Sequence, residues 1–172
     1  MELKQAIQGR RSIRAFETRK SVQKEVMTAI LESAILAPTG GNAQPWHFFV
    51  LEQPEIKLKL VRAALKQKFI AQGTFVVVVC IDEQQAYSTY RDRGVGLYSI
   101  QDTAAAIQNM LLTAYSFGLG SCWVGAFSEE QVSFCLELPH NLRPVAIIPF
   151  GYPAEAPSRP QRKPLSTVCT WI

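Results

Sequence analysis

A chain of 172 residues with 48% apolar and 19% charged side chains has the composition of an ordinary globule, long enough to bury a core without disulfide or metal staples. Its net charge of +4 is uneven: residues 1–24 hold seven basic side chains and two acids, residues 25–155 carry a net −4, and residues 156–172 carry +3. Two basic ends on a mildly acidic body exclude a surface coated in positive charge for nucleic acid and favour local anion binding.

Taken in order, residues 2–9 predict a short helix with Leu3, Ala6 and Ile7 on one side. Ser21 is a candidate N-cap for a second helix running to about Leu36, with Val22, Val26, Ile30, Ala34 and Leu36 near one face and Pro38 as its stop. Residues 46–51 predict a strand. Pro54 suits the first turn of a helix continued by Ile56, Leu58, Leu60, Val61 and Leu65. Residues 75–81 are a continuous apolar run, the pattern of a strand buried on both faces. Residues 83–98 are polar and ambiguous. Residues 99–117 predict the central helix, apolar nearly all round and capped by Gly118 or Gly120. Cys122–Val124 is a short strand candidate. Ser128 caps a helix over 129–136, with Glu129 and Glu130 in its first turn. Val145–Phe150 predicts a strand, and Leu165–Ile172 an extended tail. Mixed elements without a regular βαβ rhythm give the class α+β, and 1–172 reads as a single domain.

No apolar run reaches membrane-spanning length, and no apolar h-region follows Met1, so the cytoplasm is the expected location and no membrane partner is expected. Cys80, Cys122, Cys135 and Cys169 form no C-x-x-C pair and read as thiols of a reducing compartment. Cys122 has no neighbouring base to activate it. His47 and His140 lie far apart, so no metal site is expected, and His47 reads as a structural histidine in its strand.

Four segments could carry chemistry. Arg10-Arg11-Ser12-Ile13-Arg14 gathers three guanidiniums and a hydroxyl, the donors that fork onto phosphate oxygens. Residues 37–46, APTGGNAQPW, join a helix end to a strand through a Gly pair and two amide side chains suited to a heterocycle edge. Residues 118–125, GLGSCWVG, leave the central helix, and Gly125 would let a backbone N–H approach a flat ligand. Arg159-Pro160-Gln161-Arg162-Lys163-Pro164 could complete an anion site with the N-terminal arginines. Neither G-x-x-x-x-G-K-[ST] nor G-x-G-x-x-G occurs. No acid pair or Ser-His-Asp set can be argued either, so a cofactor would do the hard chemistry.

Together these segments resemble the nitroreductase family of FMN-dependent oxidoreductases. The likeness runs in order along nearly the whole chain: RRSIR, APTGGNAQPWHFFV, TFVVVVCID, DTAAAIQNMLLTAYSFGLGSCWVGAF, LPHNLRPVAIIPFGYP and RKPL. The resemblance implies a mainly antiparallel sheet flanked by helices, and a homodimer with FMN at the subunit interface and the chain end reaching over the partner. Carried over by position, it implies that Arg10, Arg11, Ser12 and Arg14 bind phosphate, ribityl and the pyrimidine edge. Pro38, Thr39, Gly40 and Asn42 match the loop given by the other subunit, and Gln67 an amide against the ring. Trp123, Val124 and Gly125 match backbone near N5, and Arg162 with Lys163 a second phosphate element. The implied activity is hydride transfer from NADH or NADPH to FMN and then, in ping-pong order, electrons to nitroaromatics, quinones or similar small acceptors. No catalytic side chain is required. Thr74-Phe75 stands where many relatives have Ala-Pro, and 83–98 carries no family signature. That segment motivates the alternative of a flavin-binding redox sensor or store with little turnover. A nucleic-acid-binding module would rest on the basic ends alone.

Overall fold

The computed structural model describes all 172 residues. Its centre is a four-stranded antiparallel sheet of β1 (Trp46–Leu51), β2 (Phe75–Asp82), β3 (Gly120–Ser121) and β4 (Leu142–Gly151), in the order β1-β2-β4-β3. This agrees with the expected α+β class and antiparallel sheet.

β2 explains why its sequence is apolar throughout. Successive side chains point to opposite faces of a strand. Phe75, Val77 and Val79 enter one core with helices α2 (Lys24–Ile35) and α6 (Ser99–Ser116). Val76, Val78 and Cys80 enter a second core with α3 (Pro54–Ala63), α4 (Phe69–Gln72) and α7 (Glu129–Leu136). Both faces are covered, so no position before Asp82 is left to be polar. In the first core Phe75 stacks on Phe150 of β4, ring centroids 4.9 Å apart. Met27, Ile30 and Ala34 of α2 pack there with Ala106, Ile107, Met110 and Leu111 of α6.

The ends of the helices follow local chemistry in some places and packing in others. The Ser128 hydroxyl accepts from the N–H of Gln131 and starts α7 as expected. Ser21 does not cap α2: the N-cap is Gln23, with no side-chain bond, because buried Val22 sets the entry of the chain. Leu36 is 80% exposed, not on the core face; α2 ends at Ile35 and Ala37 takes the buried position. Leu58, inside α3, is likewise exposed on its outer face, and Leu65 is exposed because α3 stops at Ala63 and the chain turns through left-handed Leu65 and Lys66. Gly118, with φ of 75°, ends α6.

Three expectations change. The ambiguous 83–98 stretch is helix α5 (Glu83–Arg93), broken at Tyr90 and Arg91, followed by one wide turn at Gly94–Tyr98. The short strand is Gly120–Ser121, not Cys122–Val124. Val124 resumes the same antiparallel ladder in unchanged register by exchanging two 3.0 Å bonds with Ile147; between them Cys122 and Trp123 stand opposite Pro149 and Ile148, and Pro149 has no N–H to give the ladder. The tail from Ala154 onward is exposed except for half-buried Cys169, and it holds only a turn at Leu165–Thr167, not an extended strand.

Candidate functional site

The N-terminal arginines are presented by a buried anchor between them. Helix α1 (Leu3–Gly9) ends at Arg10, and the next segment lies along β3. Ile13 is buried, donates its N–H to the Ser121 carbonyl at 2.9 Å, and packs where a Cβ on Gly120 would come within 2.8 Å of it. Fixing Ile13 inward turns its neighbours outward. The backbone N–H of Arg14 donates to the Glu155 carboxylate, and Ala154 donates to the Ala15 carbonyl. The C-terminal segment is thereby tied beside the N-terminal one.

The result is a cavity of about 440 Å³ lined by Arg10, Arg11, Ser12, Arg14, Arg159 and Arg162, among others, with no carboxylate in its wall. It falls in the size range of small-molecule sites. Five guanidiniums on one concavity make a strong anion site. The expected Arg10, Arg11, Ser12, Arg14 and Arg162 are all brought together here; Lys163 is outside the wall. Arg159, not among the carried-over positions, joins them. The signal was its spacing: in a proline-rich extended segment with three residues per turn, 159 and 162 share a side and 163 does not.

The arginines are not equivalent. Arg11 turns back on α1, where its Nη1 donates to the carbonyls of Gln8, Gly9 and Arg10 at 2.7–2.9 Å. It satisfies the helix's last carbonyls. The side chains of Arg10 and Arg14 form no ion pair and no hydrogen bond within the chain.

Cys122 lies beside this group and is buried. Burial pushes its thiol up, against smaller opposing effects of Arg14, a Ser12 hydrogen bond and Arg10. It therefore stays a thiol and offers no nucleophile. Trp123 is half-exposed, Val124 is buried in its bridge to Ile147, and Gly125 has open space where a Cβ would stand. The N–H groups of Trp123 and Gly125 donate no backbone bond. Gln67 is adjacent, but both its amide hydrogens are used, on the carbonyls of Ala64 (3.0 Å) and Ala126 (2.9 Å). Only its oxygen remains for a ligand. His47 is exposed against Phe49, not a buried structural histidine.

The loop of Pro38, Thr39, Gly40 and Asn42 lies elsewhere. Gly41, Asn42 and Gln44 all have left-handed backbones. The Gly40 N–H donates to Asp102 Oδ1 at 3.1 Å, and the Gln44 N–H donates to the Thr39 hydroxyl at 3.2 Å. Asp102 is buried in the first turn of α6, its Oδ2 has no partner, and burial raises its pKa against the lowering effect of the Gly40 bond. Sequence reading missed it, because Asp102 sits among the polar residues Ser99, Gln101 and Thr103 at the helix start and looks like one of them. At the opposite end of α6, Tyr115 lies against Gly9 of α1. Thirteen residues separate Asp102 from Tyr115, roughly 20 Å at 1.5 Å per residue. The loop and the arginine cavity therefore sit at opposite ends of one helix.

An antiparallel sheet wrapped by helices thus carries a cationic cavity at one end of α6 and a Gly-rich turn with left-handed residues at the other. The Nitroreductase family model matches residues 7–73 and 60–152, and the chain belongs to that family. It is 29% identical over 198 residues to the NADH dehydrogenase of Thermus thermophilus, covering 99% of this chain and 96% of that one. Nitroreductase A of Vibrio parahaemolyticus superposes with a TM-score of 0.90 at 28% identity, covering 99% of this chain and 76% of that one. The NADPH:FMN oxidoreductase of Vibrio harveyi, solved with NAD⁺, superposes with a TM-score of 0.90 at 26% identity, covering 98% of this chain and 76% of that one.

Proposed function

We propose that the protein is an FMN-dependent NAD(P)H oxidoreductase whose residues 1–172 form one unit, working as a cytoplasmic homodimer with each flavin site divided between two subunits. The observation that carries the reading is the cavity walled by five arginines and no acid. A phosphate dianion on a flat cofactor matches it, with the Ser12 hydroxyl as a further donor. The cofactor also fits the neighbouring backbone: the free N–H groups of Trp123 and Gly125 and the open space at Gly125 suit a planar ring edge.

When bound, FMN would supply the redox chemistry that joins NADH or NADPH to a nitroaromatic, quinone or similar acceptor in ping-pong order. The protein's part is binding and electrostatics. Arg10, Arg14, Arg159 and Arg162 hold the phosphate, and the N–H groups of Trp123 and Gly125 stabilise negative charge on the ring. No side chain acts as general acid or base. The Pro38, Thr39, Gly40 and Asn42 loop, some 20 Å from the arginines along α6, serves the site of the partner subunit. That distance supports a shared site, since one chain cannot bring both halves to one ring.

The test is anaerobic titration of the yellow protein with NADH and with NADPH. Bleaching of a stoichiometric flavin by either supports the oxidoreductase. Bleaching by neither would leave a flavin store and sink the enzyme reading.

A further inference from the structure

We propose that Arg93 reads an anionic group on the flat substrate that enters beside the Gly40–Gly41 turn. The inference rests on the flavin-site reading above, because that turn is the half-site offered to the partner.

The segment beside the turn is strained. Arg91 has φ of 52° and ψ of −142°, a conformation seldom adopted by a residue with a Cβ. The following Gly94 has no space for a side chain: a Cβ there would lie 2.2 Å from the Ala86 carbonyl oxygen. The helix is broken at Tyr90 and Arg91, and Tyr90 and Tyr98 lie over the loop. A Cβ on Gly41 would stand 2.6 Å from the Tyr90 hydroxyl, and one on Gly40 would stand 3.6 Å from the Tyr98 ring. The two rings meet edge to face, 5.0 Å apart at 85°. This is a fixed aromatic wall beside the turn.

Arg93 is fastened to that wall. Its Nε donates to the Tyr98 hydroxyl at 2.9 Å, and its guanidinium lies 5.2 Å from the Tyr98 ring centroid. Its two terminal nitrogens have no partner and it forms no ion pair, although Asp92 adjoins it in sequence. One edge of the planar fork is thus held while the other is presented. Such a fork recognises carboxylate or phosphate, and the rings beside it accept a flat body. Two substrates carry this chemistry: an aromatic acceptor with a carboxylate, and a nicotinamide nucleotide with a 2′-phosphate.

Titration calorimetry separates them without relying on turnover. The holoprotein, Arg93→Gln and Tyr98→Phe are each titrated with 4-nitrobenzoate against 4-nitrobenzamide, and with NADP⁺ against NAD⁺. The unaltered protein should prefer the more anionic member of one pair by about fivefold, the upper range for an exposed charge pair. Added salt should shrink that preference. Arg93→Gln should abolish it, and Tyr98→Phe, which keeps the ring and frees Nε, should weaken it. The pair affected identifies the source of the anion. A preference in neither pair, or one that survives Arg93→Gln, overturns the proposal. Failure of the flavin to bleach would instead overturn the oxidoreductase reading and leave these binding results standing.

Discussion

Arg10 and Arg11 are adjacent and alike in sequence, yet their side chains have different partners. Arg10 faces the cavity with no partner, whereas Arg11 is spent on three carbonyls at the end of α1. Arg10→Ala or Arg162→Ala should lower flavin affinity by roughly tenfold or more, the size of a lost charge-assisted bond, with the melting temperature of the flavin-free protein unchanged. Arg11→Ala should do the reverse in the first instance and cost about 1 kcal/mol of stability by urea titration. A second pair tests the acid limb. The Arg143 hydrogen bond holds Glu129 below the usual carboxylate range, through contacts of 2.8 and 3.0 Å. A depressed folded pKa gives stability that is present above the unfolded value and lost as pH falls through the folded one. Glu129→Gln should therefore make stability less sensitive to pH below about 4.5. The effect is small, because both side chains are two-fifths exposed or more.

At the scale of elements, what was legible was what local pattern alone determines. β2 was readable because both of its faces are covered, and α7 because Ser128 and two acids mark its start. What was not legible depended on neighbours. The gap in the ladder at Cys122 and Trp123 follows from Pro149 on β4, which has no N–H to offer, and the exposure of Leu36 from where α2 stops. The break in α5 is forced by close approach of Gly94 to Ala86, which no sequence window contains as a pattern. The convergence of Arg10, Arg14 and Arg162 was legible, since clustered guanidiniums point to a common anion, but Gln67's commitment to Ala126 was not. Gly94→Ala should cost about 1–3 kcal/mol, as an overpacked site whose obstruction is backbone. Gly96→Ala, where a Cβ meets nothing, should keep native stability as the control.

For the whole molecule, the proposed sharing of the site between subunits would tie flavin retention to association. The exposed tail ends in Trp171 and Ile172, both fully open in the single chain, and Leu165 and Val168 are also exposed. A homodimer would cover them. Removal of residues 164–172 should shift sedimentation toward monomer and release flavin together; a monomer that keeps its flavin would contradict the shared site.

The central helix acts as a ruler in such an assembly. Its two ends set the separation between what a chain keeps for its own cofactor and what it lends. Inserting a single residue between Asp102 and Tyr115 would rotate one end against the other by about 100°. Both cofactors of the dimer would then lose alignment at once, although no residue that touches either had changed.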